Sequence, residues 1–83
     1  MTYRIAYVDQ AERARRAMSS EVREAFDRAM ASTIGKDPYG QGSSPAGTKD
    51  EPDRRLATVY DSFVCYYVAK GPRAVTAVKI VRR

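Results

Sequence analysis

RRLATVYDSFVCYYVAKGPRAVTAVKIVRR, residues 54–83, decides the fold of this chain. It divides into three runs rich in β-branched and aromatic residues, broken by Asp61-Ser62 and by Gly71-Pro72. Asp61-Ser62 fits a two-residue hairpin turn flanked by Tyr60 and Phe63, and Gly-Pro marks a second turn. Three consecutive antiparallel strands are therefore expected. Side chains alternate along each strand. In the first run Leu56, Thr58 and Tyr60 share one face while Arg55, Ala57 and Val59 share the other. In the second the sets are Phe63, Cys65 and Tyr67 against Val64, Tyr66 and Val68. In the third they are Thr76, Val78 and Ile80 against Ala77, Lys79, Val81 and Arg83. We assign Phe63 and Tyr67 to the core, a choice that the middle run alone does not force. With that assignment Arg55, Tyr66, Lys79 and Arg83 could share one open surface.

Charge singles out the same stretch. Residues 54–83 carry seven basic side chains against Asp61 alone, a net +6, whereas residues 1–53 carry eight basic and nine acidic ones, a net −1. A basic sheet surface is the footprint of a polyanionic partner, RNA or DNA first.

The preceding segment reads as one strand and two helices. Tyr3, Ile5 and Tyr7 alternate with Arg4, Ala6 and Val8, as an edge strand would. Asp9-Gln10-Ala11-Glu12 has the form of a capping box opening a helix that runs to about Met18. Arg13, Arg15 and Arg16 then form a solvated face. Ser19 and Ser20 can cap a second helix, striped by Val22, Phe26, Ala29, Met30 and Thr33, with Glu24 and Arg28 paired outside. Gly35 and Pro38 close it. Residues 36–53, KDPYGQGSSPAGTKDEPD, show no periodicity and read as a long loop, either a surface connection or a functional one, with Tyr39 its one large anchor.

Eighty-three residues make a single domain spanning 1–83, able to bury roughly two thirds of its unfolded surface. The fold class is α+β, in the order β-α-α-β-β-β, two helices packed on a small, mainly antiparallel sheet. Cys65 is alone, and with no histidine in the chain to activate it, it reads as a small buried thiol. Neither a signal segment nor a spanning segment is apparent, so a cytoplasmic setting and no membrane partner are expected. One cysteine, no histidine and scattered carboxylates argue against a metal site, and GQGSSPAG lacks the lysine and helix of a phosphate loop. No cofactor is expected.

This order of elements resembles the RelE/ParE superfamily of bacterial type II toxins. YRIAYVDQAERARRAM is similar to the family's opening strand and basic-sided helix, and SSEVREAFDRAMASTIGKDP to its second helix. RRLATVYDSFVCYYVAK is similar to its hairpin, and VTAVKIVRR to its closing basic strand. The resemblance covers nearly the whole chain as a pattern of elements rather than a tight motif. It implies a toxin held by a cognate antitoxin, and either of two activities. One is binding and ribosome-dependent cleavage of mRNA, as in the RelE branch; the other is non-catalytic inhibition of DNA gyrase, as in the ParE branch, or survival as an antitoxin-binding relic. For the first it implies Arg55 and Arg83, or Arg82 with one residue of slack, as the catalytic cations. Arg54, Arg55, Tyr66, Lys79, Arg82 and Arg83 would then hold RNA, with Tyr66 as a stacking platform. The sequence departs from that pattern at Val64, where many nucleolytic members carry an arginine, at Ala57, and in ending without a further tyrosine. Arginine stabilises a phosphorane well but is a poor base, and general acid–base help is typically worth about 10²–10⁴-fold. Weak cleavage at most is expected.

Overall fold

In a computed structural model, which describes residues 2–40, 42–47, 51 and 53–82, the chain forms five strands and two helices. They are β1 (Arg4–Tyr7), α1 (Asp9–Arg16), α2 (Ser20–Ser32), β2 (Ser43–Pro45), β3 (Arg54–Val59), β4 (Ser62–Ala69) and β5 (Ala74–Arg82). The sheet order is β1-β5-β4-β3-β2. The pairs among β2 to β5 are antiparallel, and β1 joins β5 in parallel. The α+β class and the order expected from sequence are present, with one strand added: Ser43–Pro45 pairs with Ala57, Leu56 and Arg55, so the long loop is not wholly irregular.

The helices cover one face of the sheet. Ala11 of α1, Met18 from the link, Phe26 and Met30 of α2, and Ile34 beyond it meet Ala57, Val59, Val64, Tyr66, Val68, Val75, Ala77 and Ile80. The inward set of β4 is therefore Val64, Tyr66 and Val68, opposite to our sequence assignment, and Phe63 and Tyr67 stand on the open face. Two irregularities accompany it. Val59 pairs with Ser62, so the hairpin turn is Tyr60-Asp61, one residue earlier than expected, with Tyr60 at φ 56. In β5, Cys65 pairs with Lys79 but Tyr66 pairs with Ala77, so Val78 is an extra residue in a bulge. The bulge lets Val75, Ala77 and Ile80 all face the helices, while Lys79 and Val81 face outward.

Helix ends follow local chemistry. Ser19 caps α2, its hydroxyl accepting from the Val22 N–H at 3.3 Å. The expected Asp9 capping box is absent: Val8 is the N-cap, no side chain caps α1, and Glu12 turns instead to Arg15 and Arg16. Arg15 is not solvated as expected. Its Nε and Nη2 donate to Asp27 at 2.8 and 2.7 Å, joining α1 to α2, and its guanidinium lies 5.4 Å from the centre of the Tyr7 ring. No Glu24–Arg28 ion pair forms among the described residues. Gly35 does terminate α2, its N–H reaching Met30 O at 2.8 Å, and its own carbonyl accepts from Tyr3 at 2.6 Å. A Cβ there would sit 2.9 Å from Ala31 O, so close approach is what requires glycine. No helix among the described residues is long and apolar enough to cross a membrane.

Candidate nucleic-acid interface

The strand registers fix what the open face carries. One cross-strand row runs Arg54–Tyr67–Thr76, the next Leu56–Cys65–Lys79, the third Thr58–Phe63–Val81. Rows lie about 7 Å apart and strands about 4.8 Å apart. Leu56, Phe63, Tyr67 and Val81 are 38–45 % exposed, so the face is an apolar and aromatic strip with a cation at two of its edges. Arg54 lies with its guanidinium carbon 5.6 Å from the Tyr67 ring centre and its Nη1 3.6 Å from Glu51 Oε2. Lys79 is exposed two strands away. From the same spacings these two charges stand about 12 Å apart.

Three of the residues expected on that surface are elsewhere. Tyr66 is fully buried, and its hydroxyl donates to Pro38 O at 2.6 Å. It is a core residue and cannot stack on a base. Arg55 pairs with Tyr66 and so shares the helix-side face. Its Nε donates to Ser43 Oγ at 2.7 Å, its Nη2 to Ser43 O at 3.1 Å, and it lies 5.3 Å from the Tyr39 ring centre. Arg82, opposite Ser62, turns away from the Lys79 face and is paired with Asp61 at 3.0 Å. This bond holds the Asp61 carboxyl below its usual range. Arg55 and Arg82 are separated by four residues of β4, about 13 Å along the strand, too far to hold one phosphate together. Arg83 lies outside the described residues. The cations are therefore divided between two faces rather than gathered on one: the bulge at Val78 puts Lys79 on the face opposite to Ala77, and so opposite to Arg55 and Tyr66.

Val64 is also informative. It is fully buried, so an arginine there would point into the core; the open-face position beside it is Phe63. The aromatic pair at the site is Phe63 and Tyr67, which sequence reasoning placed in the core. Apart from the buried Ser62 both sets of β4 side chains are apolar or aromatic, and the strand carries no charged residue to mark its outer face.

The loop before β3 is strapped to the end of the sheet. Tyr39 stands between Arg55 and Lys70, whose Nζ lies 5.0 Å from the ring centre, and its hydroxyl donates to Asp53 at 2.6 Å. Burial, with that carboxylate beside it, pushes the Tyr39 hydroxyl up to about 12. The Tyr67 hydroxyl, which donates to Glu51 at 3.0 Å, is also raised. Tyr7 is pushed to about 12, chiefly by burial. All three shifts run away from the neutral range where a phenolate could act as a base. Near the strap, a hollow of about 270 Å³ is lined by Thr33, Lys36, Asp37, Ser43, Thr58 and Tyr66 among others, off the aromatic strip. Among the described residues no three acidic or cysteine side chains gather to hold a metal.

The arrangement can bind an extended chain that alternates flat rings with negative charge. The carboxylate described on this face, Glu51, is engaged by Arg54 and by the Tyr67 hydroxyl. No protein-family model matches the sequence, and no curated protein matches it. Solved structures do match. The RelBE2 toxin–antitoxin complex of Mycobacterium tuberculosis superposes with a TM-score of 0.77 at 13 % identity, covering 100 % of both chains. The archaeal RelE–RelB complex from Pyrococcus horikoshii gives 0.77 at 19 % identity, covering 100 % of this chain and 97 % of the other. Isolated RelE from Escherichia coli gives 0.74 at 17 % identity over 96 % of this chain and 83 % of that one. Such identities establish architecture alone, and on that evidence this chain has the RelE fold.

Proposed function

We propose that the protein is the toxin of a toxin–antitoxin pair and that it arrests translation by holding messenger RNA, on the ribosome, against the open face of its sheet. The observation that carries this is the exposed aromatic pair, Phe63 and Tyr67, standing between Arg54 and Lys79 on a RelE fold. Bases stack on aromatic rings with little regard to sequence, for about 1–3 kcal/mol each, while nearby cations track the backbone. An antitoxin as partner is supported by the neighbours solved as toxin–antitoxin complexes. The same face offers positioning and charge but no base, so its contribution to cleavage is small and arrest comes from occupancy.

Inducing the chain in bacteria while following protein synthesis tests this. Synthesis stops, and primer extension on the stalled messages finds few new 5′ ends. Phe63→Ala and Tyr67→Ala each restore synthesis, and continued synthesis on inducing the unsubstituted chain would defeat the proposal.

One observation favours a second reading. Leu56, Phe63 and Val81 form an apolar strip that equally suits a protein partner, DNA gyrase or the antitoxin alone. Purified protein assayed in parallel for supercoiling and for translation separates them: inhibition of translation alone supports the first reading, of supercoiling alone a gyrase partner, and of neither the antitoxin alone.

A further inference from the structure

We infer that one end of the sheet is a second contact surface, which takes a ribose-phosphate backbone by charge alone. At this end β1, β3 and β5 begin and β4 ends. Arg4 N bonds Arg73 O at 2.9 Å, Arg73 N bonds Lys70 O at 3.2 Å, and Arg54 lies opposite Tyr67, three residues before Lys70. Lys70 and Arg55 flank the Tyr39 ring. Gly35, next to Lys36, accepts from Tyr3, next to Arg4. The topology thus brings Arg4, Lys36, Arg54, Arg55, Lys70 and Arg73 to a single rim, although they are dispersed over seventy residues of sequence.

Three described carboxylates share this rim with the six cations and keep their charge. Asp53 accepts from the Tyr39 hydroxyl, Asp37 accepts from the Tyr39 N–H at 3.3 Å, and Glu51 is shared between Tyr67 and Arg54. Arg4, Lys36 and Lys70 are exposed and form no ion pair with a described carboxylate. At the other end of the sheet Arg82 is already neutralised by Asp61. The four strand ends from β1 to β3 span about 14 Å, the reach of a few nucleotides. Tyr39 already has two cations against its ring, Arg55 at 5.3 Å and Lys70 at 5.0 Å from its centre, so the rim offers charge rather than a stacking platform and does not read sequence. This distinguishes it from the aromatic strip, and it rests on the proposal above only in taking RNA as the polyanion.

The test is binding of a labelled uridine homopolymer, and of an RNA duplex, to the purified full chain across a range of salt. Neutralising three exposed rim cations together (Arg4→Gln, Lys36→Gln, Lys70→Gln) should flatten the log–log salt slope on the homopolymer by about 2, from about 0.7 per phosphate contact. Because Lys70 touches the strap, a second variant carrying only Arg4→Gln and Lys36→Gln is measured too, and should flatten it by about 1.4. The duplex should show a parallel fall, and Phe63→Ala should leave the slope unchanged. A slope unaltered in both variants would overturn the inference. Arrested synthesis with an unaltered slope removes the rim and keeps the toxin; a flattened slope with normal growth does the reverse.

Discussion

Val64 and Phe63 are neighbours in sequence with opposite duties. Val64 is buried against the helices and Phe63 is 41 % exposed. Val64→Arg leaves an unpaired charge in the core and is expected to cost several kcal/mol, unfolding much of the protein at ambient temperature. Phe63→Arg should change stability by less than about 1 kcal/mol and tighten RNA binding; thermal melts with anisotropy on the same samples check both. Tyr39 provides a pH prediction. Its folded value of about 12 lies above the ordinary value near 10, so the native state retains a proton that the unfolded chain has lost. The stability it contributes is whole below about pH 10 and drains away as pH rises towards about 12. Tyr7 behaves alike. Tyr39→Phe should remove one late-titrating tyrosine from the phenolate absorbance curve, and cost about 1 kcal/mol for the lost bond to Asp53. That Tyr39 anchors its loop was legible as the only large side chain there. Which face Tyr66 takes was not, because β4 is apolar on both sides and only its neighbours' registers decide.

The elements themselves were legible, since Ser19, Gly35, Asp61 and Gly71-Pro72 punctuate them clearly. Two departures were not. β2 is Ser-Ser-Pro, with no pattern of its own, and exists because β3 offers an edge. The bulge is a single extra residue inside the apolar run AVTAVKIV, where alternation can be read in either phase. Val78 is that residue, so deleting it should regularise β5 while leaving Ala77 and Ile80 inward and Lys79 outward. Deleting Thr76 instead would turn Val75 out of the core. A chain lacking Val78 is therefore expected to fold with a melting temperature within a few degrees of the original, and one lacking Thr76 to lose cooperative unfolding by calorimetry. Between the helices, Arg15→Ala should cost about 1 kcal/mol, because its two bonds to Asp27 are only partly shielded from water, and added salt should shrink the difference.

For the molecule as a whole, the lesson is where the charge resides. Counting residues 54–83 located an excess that is real, but the count could not show that the sheet splits it between a face and an end. Arg4 and Lys36, outside that stretch, join it only through the parallel pairing of β1 with β5. This pairing has a temporal consequence. β1 leaves the ribosome before the other strands of this sheet, yet it pairs with β5, which leaves after them, and β5 is also the neighbour on which β4 leans. Closing so long a loop delays completion of the sheet. A nascent chain consequently has neither its interior nor its outward surface until β5 has emerged, so neither contact surface exists while the earlier strands are being made.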